Sequence, residues 1–208
     1  MICPDCDLQK SRLSDTINQR GIFAYFGRTL PYVEKDVAPF IYRGEVQRAL
    51  GRYKFSGRAG SGRALAGYMA ACARAHLSLG DIAAVTAVPM SPQKRRQKGY
   101  DHAAVLARQL ASQLGLPFWG DLLKKIYPTA AQHTLPKLAR SANLLGAFEV
   151  KDPQRVRGRA VLLVDDILTT GATAGECAKM LRVRGCRQVY LCCAAAALQK
   201  GDKLPGGA

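Results

Sequence analysis

The stretch AVLLVDDILTTGAT, residues 160–173, decides the fold of this chain. Its opening residues form an apolar run of the kind that builds a buried strand. Two adjacent acidic residues, Asp165 and Asp166, then lead through a turn of small and hydroxyl-bearing residues into a helical pattern. A capped strand–turn–helix connection is the plain alternative, but neighbouring carboxylates repel each other, and a turn that only caps a helix has little use for both. The pattern therefore favours a binding site.

The chemistry of this stretch suits a sugar phosphate. The carboxylates of Asp165 and Asp166 can accept hydrogen bonds from the vicinal hydroxyls of a ribose. The turn at residues 169–173 can surround a phosphate with backbone N–H and side-chain O–H donors. The helix that begins near Ala172 directs the positive end of its dipole to the same point. We therefore expect a ribose phosphate where this strand ends.

In its acidic pair, hydroxyl turn and flanking strand and helix, the stretch closely resembles the signature of type I phosphoribosyltransferases, which bind phosphoribosyl pyrophosphate (PRPP). The resemblance implies that Asp165 and Asp166 are the catalytic pair and hold the ribose hydroxyls or the waters of a metal ion. It also implies Mg²⁺ as a cofactor that arrives with PRPP and is chelated mainly by PRPP itself, so no separate protein metal site is expected. The implied PRPP-binding residues are Asp165, Asp166, Ile167, Leu168, Thr169, Thr170, Gly171, Ala172 and Thr173.

The chain of 208 residues alternates helical and strand patterns around this stretch. Such alternation predicts an α/β fold, with a mostly parallel sheet flanked by helices and a small N-terminal appendage. The resemblance implies that this fold is type I phosphoribosyltransferase-like. Ligands of such sheets bind at the carboxyl ends of the strands, where Asp165 and Pro89 are expected. The glycine-rich residues 56–62 are predicted to be a flexible connector. Helices are predicted over residues 44–53, 63–77, 101–114, 136–145 and from the signature to about 184, and strands over 81–88, 121–126, 147–150 and 188–196.

A basic segment follows the strand predicted over residues 81–88, and we expect it to form a loop between Pro92 and Gly99. PRPP carries a 5′-phosphate and a pyrophosphate, so its site needs a second anion-binding region. Arginine binds phosphate oxygens bidentately and lysine acts as a point charge, so this loop is a candidate for pyrophosphate contact or for a lid over it. A solvated charge run is the alternative. The candidate residues are Lys94, Arg95, Arg96 and Lys98.

Further motifs surround the basic segment and precede the signature. They are Val88-Pro89-Met90-Ser91-Pro92, Arg95-Arg96, Lys98-Gly99-Tyr100-Asp101-His102, Tyr42-Arg43-Gly44, Lys54-Phe55, and the spaced residues Gln132, Leu135, Arg140, Asn143 and Phe148. Over roughly residues 40 to 198, these motifs resemble the ComF family, with Lys98, Tyr100, Asp101 and His102 as conservative variants of the family's pattern. The resemblance implies a role in DNA uptake by competent bacteria, with single-stranded DNA and a competence helicase as partners.

The predicted domains are an appendage at residues 1–40, a phosphoribosyltransferase-like domain at 41–198 and a frayed tail at 199–208. ComF proteins often carry two Cys-x-x-Cys pairs that bind zinc, whereas this appendage has only Cys3 and Cys6. Structural zinc needs four ligands, so we interpret the appendage as a degenerate zinc-ribbon-like module. The other cysteines are expected to be small buried residues of a reducing compartment. They are Cys72, Cys177, Cys186, Cys192 and Cys193.

The formal net charge of +16 is large for a chain of this length. Such an excess attracts polyanions such as nucleotides, pyrophosphate and nucleic acid, although a solvated basic surface is the alternative. The sequence holds no apolar run of the roughly 18 residues that a membrane span requires and no signal-like N-terminus. We therefore expect a cytoplasmic protein without a membrane span.

Three functions fit these observations. The first is a ComF-type accessory protein of DNA uptake that binds PRPP and contacts single-stranded DNA. The second is an active phosphoribosyltransferase that moves ribose 5-phosphate from PRPP to a nucleobase or other amine, and the third is a sensor of PRPP without turnover. The sequence lacks a recognisable base-reading hood, which favours the first. Tyr100, Trp119 and Tyr127 can each stack on a base, although packing is their plainer role. Whether the chain is an enzyme stays open at this point.

Overall fold

The computed structural model describes residues 24–25, 30–56, 59–126 and 146–198, without the side chains of 24, 25, 55, 56, 59–61, 94 and 98. The strands are β1 (Ala24–Tyr25), β2 (Lys35–Ala38), β3 (Phe40–Ile41), β4 (Ile82–Ala87), β5 (Leu123–Lys125), β6 (Phe148–Val150), β7 (Ala160–Leu168) and β8 (Gln188–Ala196). The helices are α1 (Gly44–Ser56), α2 (Ala59–His76), α3 (Pro92–Lys98), α4 (His102–Leu114), α5 (Pro153–Val156) and α6 (Ala172–Val183), with a 3₁₀ turn at Leu79–Asp81.

The main sheet has the strand order β1-β2-β8-β7-β4, and β3 also pairs with β8. Strands β4, β7 and β8 run parallel, as do β2 and β3 against β8, whereas β1 is antiparallel to β2. β5 and β6 form a separate antiparallel pair. The α/β fold with a mostly parallel sheet is therefore confirmed. The signature strand β7 lies between β4 and β8, so its carboxyl end has a parallel strand on each side.

Helices cover both faces of the sheet. Alternate residues of β7 point to opposite faces, so they pack against different helices. Leu162 and Val164 lie in a cluster with apolar residues of α1, α2 and α4, such as Leu106. Val161 and Leu163 lie in a second cluster with α6, which contributes Cys177 and Leu181. The continuous apolar run at the start of β7 is thus explained by burial on both faces.

The predicted helix at residues 101–114 is confirmed as α4. Asp101 caps it by accepting a hydrogen bond from the backbone N–H of Ala104 at 3.1 Å. Gly115 ends it with a φ of 69°, a conformation that glycine adopts without a steric penalty. The predicted strands at 81–88, 121–126, 147–150 and 188–196 are confirmed as β4, β5, β6 and β8. The helix after the signature ends at Val183, and the helix at 44–53 extends to Ser56.

The prediction of a glycine-rich connector over residues 56–62 is wrong for most of its length. Helix α2 begins at Ala59, so Gly60 and Gly62 lie inside it. A Cβ atom on Gly62 would lie 2.8 Å from Oε1 of Gln109 in α4. Gly62 therefore serves the close packing of two helices rather than a flexible turn.

The prediction of a basic loop between Pro92 and Gly99 is also wrong, because residues 92–98 form helix α3. Pro92 occupies its first position, where the missing N–H of proline costs nothing. The backbone N–H of Arg95 donates to the carbonyl oxygen of Ser91 at 2.9 Å. Gly99 follows with a φ of 77°. The sequence segment thus carries a helix start and stop signal around its four basic residues.

Strands β2 and β3 belong to the main sheet, although the predicted appendage reaches residue 40. Asp36 of β2 pairs with Leu191 of β8, and Phe40 of β3 pairs with Ala195. The last residues of the predicted appendage are therefore part of the sheet. Cys3, Cys6 and the predicted helix at 136–145 lie outside the described residues, as does the tail.

The five cysteines from Cys72 onward are all buried, as expected. Burial raises the pKa of Cys72 to about 12 and that of Cys186 to about 11, so these thiols stay protonated and act as small apolar groups. Among the described helices, none combines the length and the apolar character needed to cross a membrane.

Candidate functional site

A cleft of about 320 Å³ opens at the carboxyl ends of β4 and β7. It lies where ligands of parallel α/β sheets bind. One wall is the segment after β4, the floor is the end of β7, and the far wall is the turn into α6. The lining residues are Lys54, Val88, Pro89, Met90, Ser91, Asp101, His102, Ala103, Lys125 and residues 165–174.

All nine residues of the predicted PRPP signature, Asp165 to Thr173, line this cleft. β7 continues through the acidic pair to Leu168, so the two aspartates are neighbours on one strand. Adjacent strand residues point to opposite faces of a sheet, which separates the two carboxylates. Asp166 is directed toward α1, where it meets Lys54. Burial in α6 raises the pKa of the Cys177 thiol, and the charge of nearby Asp165 adds to that shift.

The carboxyl of Asp165 is strongly perturbed. Burial raises its pKa to about 8, and the negative charge of Asp166 adds to this shift. Asp165 Oδ1 accepts a hydrogen bond from the backbone N–H of Asp166 at 2.8 Å, which opposes the shift together with the charge of Lys54. Perturbed carboxyl groups in a cleft are typical of functional sites, because an enzyme or binding protein tunes them by burial and by like charges.

The side chain of Lys54 is the functional group that sequence reasoning missed. Its Nζ lies 2.8 Å from Oδ2 of Asp166, and the two side chains are 26% and 17% exposed. Tyr100 holds the end of α1 in place, since its hydroxyl lies 2.8 Å from the carbonyl oxygen of Tyr53 and 2.9 Å from that of Lys54. The Lys54-Phe55 motif was a possible signal, but nothing local in the sequence connects it to β7.

The turn after β7 leads directly into the first turn of α6. Gly171 precedes α6 with a φ of 77° and brings no side chain to cap the helix. The hydroxyl of Thr170 accepts a hydrogen bond from the N–H of Ala172 at 3.3 Å. The amides in the first turn of a helix have no partner inside the helix, so those that follow Ala172 can serve an anion.

The segment after β4 is fixed by Asp101. The backbone N–H of Met90 donates to Asp101 Oδ2 at 3.1 Å, while the other carboxylate oxygen caps α4. The N–H of Val88 donates to the carbonyl oxygen of Val164 at 2.8 Å. These bonds place Pro89 and Met90 opposite the signature, as the strand order predicts.

The basic residues of α3 are placed differently from the cations of the cleft. Arg95 and Arg96 are exposed, and the Arg95 guanidinium lies 3.5 Å from Asp101 Oδ2. Among the described side chains, the cations that line the cleft are Lys54 and Lys125. The side chains of Lys94 and Lys98 are not described. The predicted role of α3 in anion binding stays a prediction.

The aromatic residues considered for base stacking have other contacts. The Tyr100 ring meets the His102 ring edge to face, with centroids 4.5 Å apart. The Trp119 ring is covered by Arg155, whose Cζ lies 4.7 Å from the ring centroid. Tyr127 lies outside the described residues.

Comparison with known proteins shows which family this chain represents. The model of the phosphoribosyl transferase domain matches residues 101–204, which is half of the chain. The chain therefore belongs to the phosphoribosyltransferase domain family. Within that family, its relatives confirm the resemblance to ComF proteins. It is 31% identical over 109 residues to the DNA utilization protein YhgH of Salmonella typhi, covering 52% of this chain and 47% of that protein.

A second relative is the Competence protein F of Haemophilus influenzae, 32% identical over 109 residues, with 52% of this chain and 48% of that protein covered. The chain thus spans about half the length of these curated relatives. Among solved structures, the allosteric regulatory enzyme of purine biosynthesis matches 70% of this chain and 30% of its own, with 22% identity and a TM-score of 0.47.

Proposed function

We propose that the cleft binds Mg²⁺–PRPP and that the protein assists DNA uptake through contact with single-stranded DNA. The observation that carries the proposal is the convergence of the acidic pair, the hydroxyl turn and two lysines in one cleft. Each part matches one part of PRPP: hydroxyls, a terminal phosphate and a pyrophosphate. Because groups suited to all three parts of PRPP line the same cleft, this ligand is favoured over inorganic phosphate.

Different residues of the cleft bind different parts of PRPP. Asp165 and Asp166 accept hydrogen bonds from the ribose 2′- and 3′-hydroxyls. The turn at residues 169–173 and the start of α6 hold the 5′-phosphate through backbone N–H groups and threonine hydroxyls. Lys54 and Lys125 lie in the cleft and are therefore better placed for the pyrophosphate than the exposed Arg95 and Arg96.

The residues present also fit Mg²⁺ carried by PRPP. Magnesium is usually bound through one or two carboxylates together with phosphate oxygens of the substrate, and it keeps several waters. Asp166 is one carboxylate in such a position, and Asp165 becomes a second once it has lost its proton. In the described part of the chain, no group of three or more His, Cys, Asp or Glu side chains forms a metal site. When bound, Mg²⁺ neutralises pyrophosphate charge.

The DNA part of the proposal is supported by the relatives and by charge. The names of two relatives refer to DNA utilization and competence. The net charge of +16 favours polyanions, because it raises their local concentration at the surface. A competence helicase is the partner that the ComF resemblance implies.

The second candidate function is phosphoribosyl transfer. Here a nitrogen nucleophile displaces pyrophosphate from C1′ of PRPP, through a transition state that resembles an oxocarbenium ion. The complete signature favours this reading, since positioning and charge stabilisation are what such a reaction needs from a protein. A sensor that binds PRPP without turnover is the third reading.

One set of assays separates these readings. Calorimetry with Mg²⁺–PRPP tests the cleft, and a pyrophosphate-release assay with a panel of bases and amines tests transfer. Anisotropy with a labelled oligothymidine tests DNA contact. PRPP and DNA binding without pyrophosphate release supports the main proposal, whereas release with any acceptor supports the enzyme. Absence of PRPP binding by the folded protein contradicts both.

A further inference from the structure

Six arginines gather at the edge of the sheet opposite the cleft. They lie in the two segments that precede β7 and β8, and neighbouring parallel strands begin side by side. The segments are joined directly: the N–H of Gly158 donates to the carbonyl oxygen of Gly185, and the N–H of Arg187 donates to that of Arg159, both at 2.8 Å. We call this surface the arginine face: Arg155, Arg157, Arg159, Arg182, Arg184 and Arg187.

Among the described residues, two of these arginines have acidic partners and the other four form no ion pair. Arg155 pairs with Asp121 at 3.1 Å, and Arg187 lies 3.5 Å from Asp81. The other four, Arg157, Arg159, Arg182 and Arg184, are exposed and form no ion pair with a described acidic residue. Like charges this close repel each other, so the surface gains when a polyanion neutralises it.

The arginine face also has a concave centre. A shallow cavity of about 280 Å³ lies between Arg157 and Arg184, with Gly185 and Val183 in its lining. The Cγ atom of Arg157 lies 3.6 Å from the position of a Cβ on Gly185, which is an ordinary van der Waals separation, so Arg157 packs against the turn. Val183 is 65% exposed, so its apolar side chain is available for contact at this cavity.

Guanidinium groups around an apolar spot match a particular polyanion. Arginine binds phosphate bidentately, and its planar group also stacks on bases. An exposed valine offers contact to a base face, which only an unpaired strand presents. A duplex shows mainly its phosphates, and the Asp and Glu side chains of an acidic peptide carry no flat base beside their charge. The combination favours single-stranded nucleic acid.

The arginine face is separate from the PRPP cleft. β7 connects them with nine residues, which span about 26 Å at roughly 3.3 Å per residue. That distance exceeds the Debye length of about 8 Å at physiological salt. Occupation of one site therefore leaves the other accessible.

We propose that the arginine face is the docking surface for single-stranded DNA, and that DNA and PRPP occupy opposite edges of the sheet. The inference rests on the DNA contact of the proposed function and adds its location. Arg157 and Arg184 bind phosphates of the DNA backbone on either side of the cavity. Val183 contacts an unstacked base.

The test compares the anisotropy of a labelled oligothymidine with wild-type protein and with R157Q/R184Q. The matched control is R52Q/R63Q, which removes the same charge from exposed positions on α1 and α2. We expect at least a tenfold loss of affinity for the first variant and less than about twofold for the control. The slope of log K against log salt should fall by about 1.4, because each single-strand phosphate contact contributes about 0.7. Arg157 and Arg184 are exposed, so folding is expected to persist, and R157K/R184K should restore part of the affinity.

The contrary outcomes are distinct. Equal losses of oligothymidine affinity in R157Q/R184Q and the control would show that DNA binds diffusely to the basic surface. That result would overturn the arginine face as the docking site but would leave DNA contact itself in place. Competition between Mg²⁺–PRPP and DNA would place the DNA in the cleft and overturn it as well. Wild-type protein that binds PRPP but no oligothymidine would overturn both this inference and the DNA contact of the proposed function, while leaving the cleft intact.

Discussion

Lys54 and Asp166 form an ion pair across the cleft, with 2.8 Å between Nζ and Oδ2. The pair joins the last turn of α1 to the signature strand, so two distant parts of the sequence build one site. A ribose that binds Asp166 must share it with Lys54 or displace Lys54 toward the pyrophosphate. The ammonium group is therefore in position to follow the charge of the ligand.

The first prediction concerns the two lysines of the cleft. K54Q/K125Q should weaken Mg²⁺–PRPP binding by about a hundredfold, because two charge-assisted contacts of about 1.4 kcal/mol each are lost. Calorimetry measures the effect. The comparison variant is the alanine quadruple at Lys94, Arg95, Arg96 and Lys98, which should lose less than about tenfold because Arg95 and Arg96 lie on the exterior of α3. A larger loss of affinity in the alanine quadruple than in K54Q/K125Q would show that α3 binds the pyrophosphate instead.

The second prediction concerns pH. The folded protein holds a proton on Asp165 up to a pKa of about 8, whereas the unfolded chain releases it at the usual value near 3.8. The stabilising contribution of this proton is therefore complete below the lower value and is lost as pH rises through the higher one. D165N mimics the neutral carboxyl, so urea midpoints should fall less from about pH 5 to about pH 8 in D165N than in wild type. Parallel curves would contradict the raised pKa.

The third prediction concerns Gly171. Its φ of 77° costs an alanine about 1–2 kcal/mol, and a Cβ there would overlap Cδ2 of Leu30. G171A should lower both the melting temperature and the affinity for Mg²⁺–PRPP, since the turn must shift to relieve the contact. Thermal unfolding and calorimetry report the two effects.

The control for this variant is G115A. Gly115 has a φ of 69° at the end of α4, with nothing within 4 Å of an added Cβ. It should show the backbone strain alone and leave PRPP affinity unchanged. If G171A and G115A behaved alike in both assays, the close contact with Leu30 would have no role in shaping the turn.

Much of the fold follows from local signals in the sequence. The apolar runs of β4, β7 and β8 predict buried strands, because such runs are typical of parallel sheets covered on both faces. Asp101 and Gly115 mark the ends of α4 through ordinary capping chemistry. The signature itself predicts the carboxyl edge where the cleft opens.

The errors came from features that depend on packing between distant segments. Gly62 lies where helices α2 and α4 contact each other, and a single segment of sequence cannot show that contact. In the sequence, Pro92 indicates the end of strand β4, although proline is equally suited to the first position of helix α3. Lys54 reaches Asp166 only once α1 packs on the sheet. The arginine face likewise needs the pairing of β7 with β8 to bring its two segments together.

The acidic pair is the central claim, and one measurement tests it most directly. Calorimetry with Mg²⁺–PRPP should show binding to the wild type and none to D165N/D166N, while the oligothymidine affinity stays within a few fold. The matched control is D81N/D121N, which removes the same charge from exposed carboxylates outside the cleft and should bind PRPP like the wild type. Binding retained by a folded D165N/D166N variant, or lost equally in the control, would contradict a PRPP site at Asp165 and Asp166.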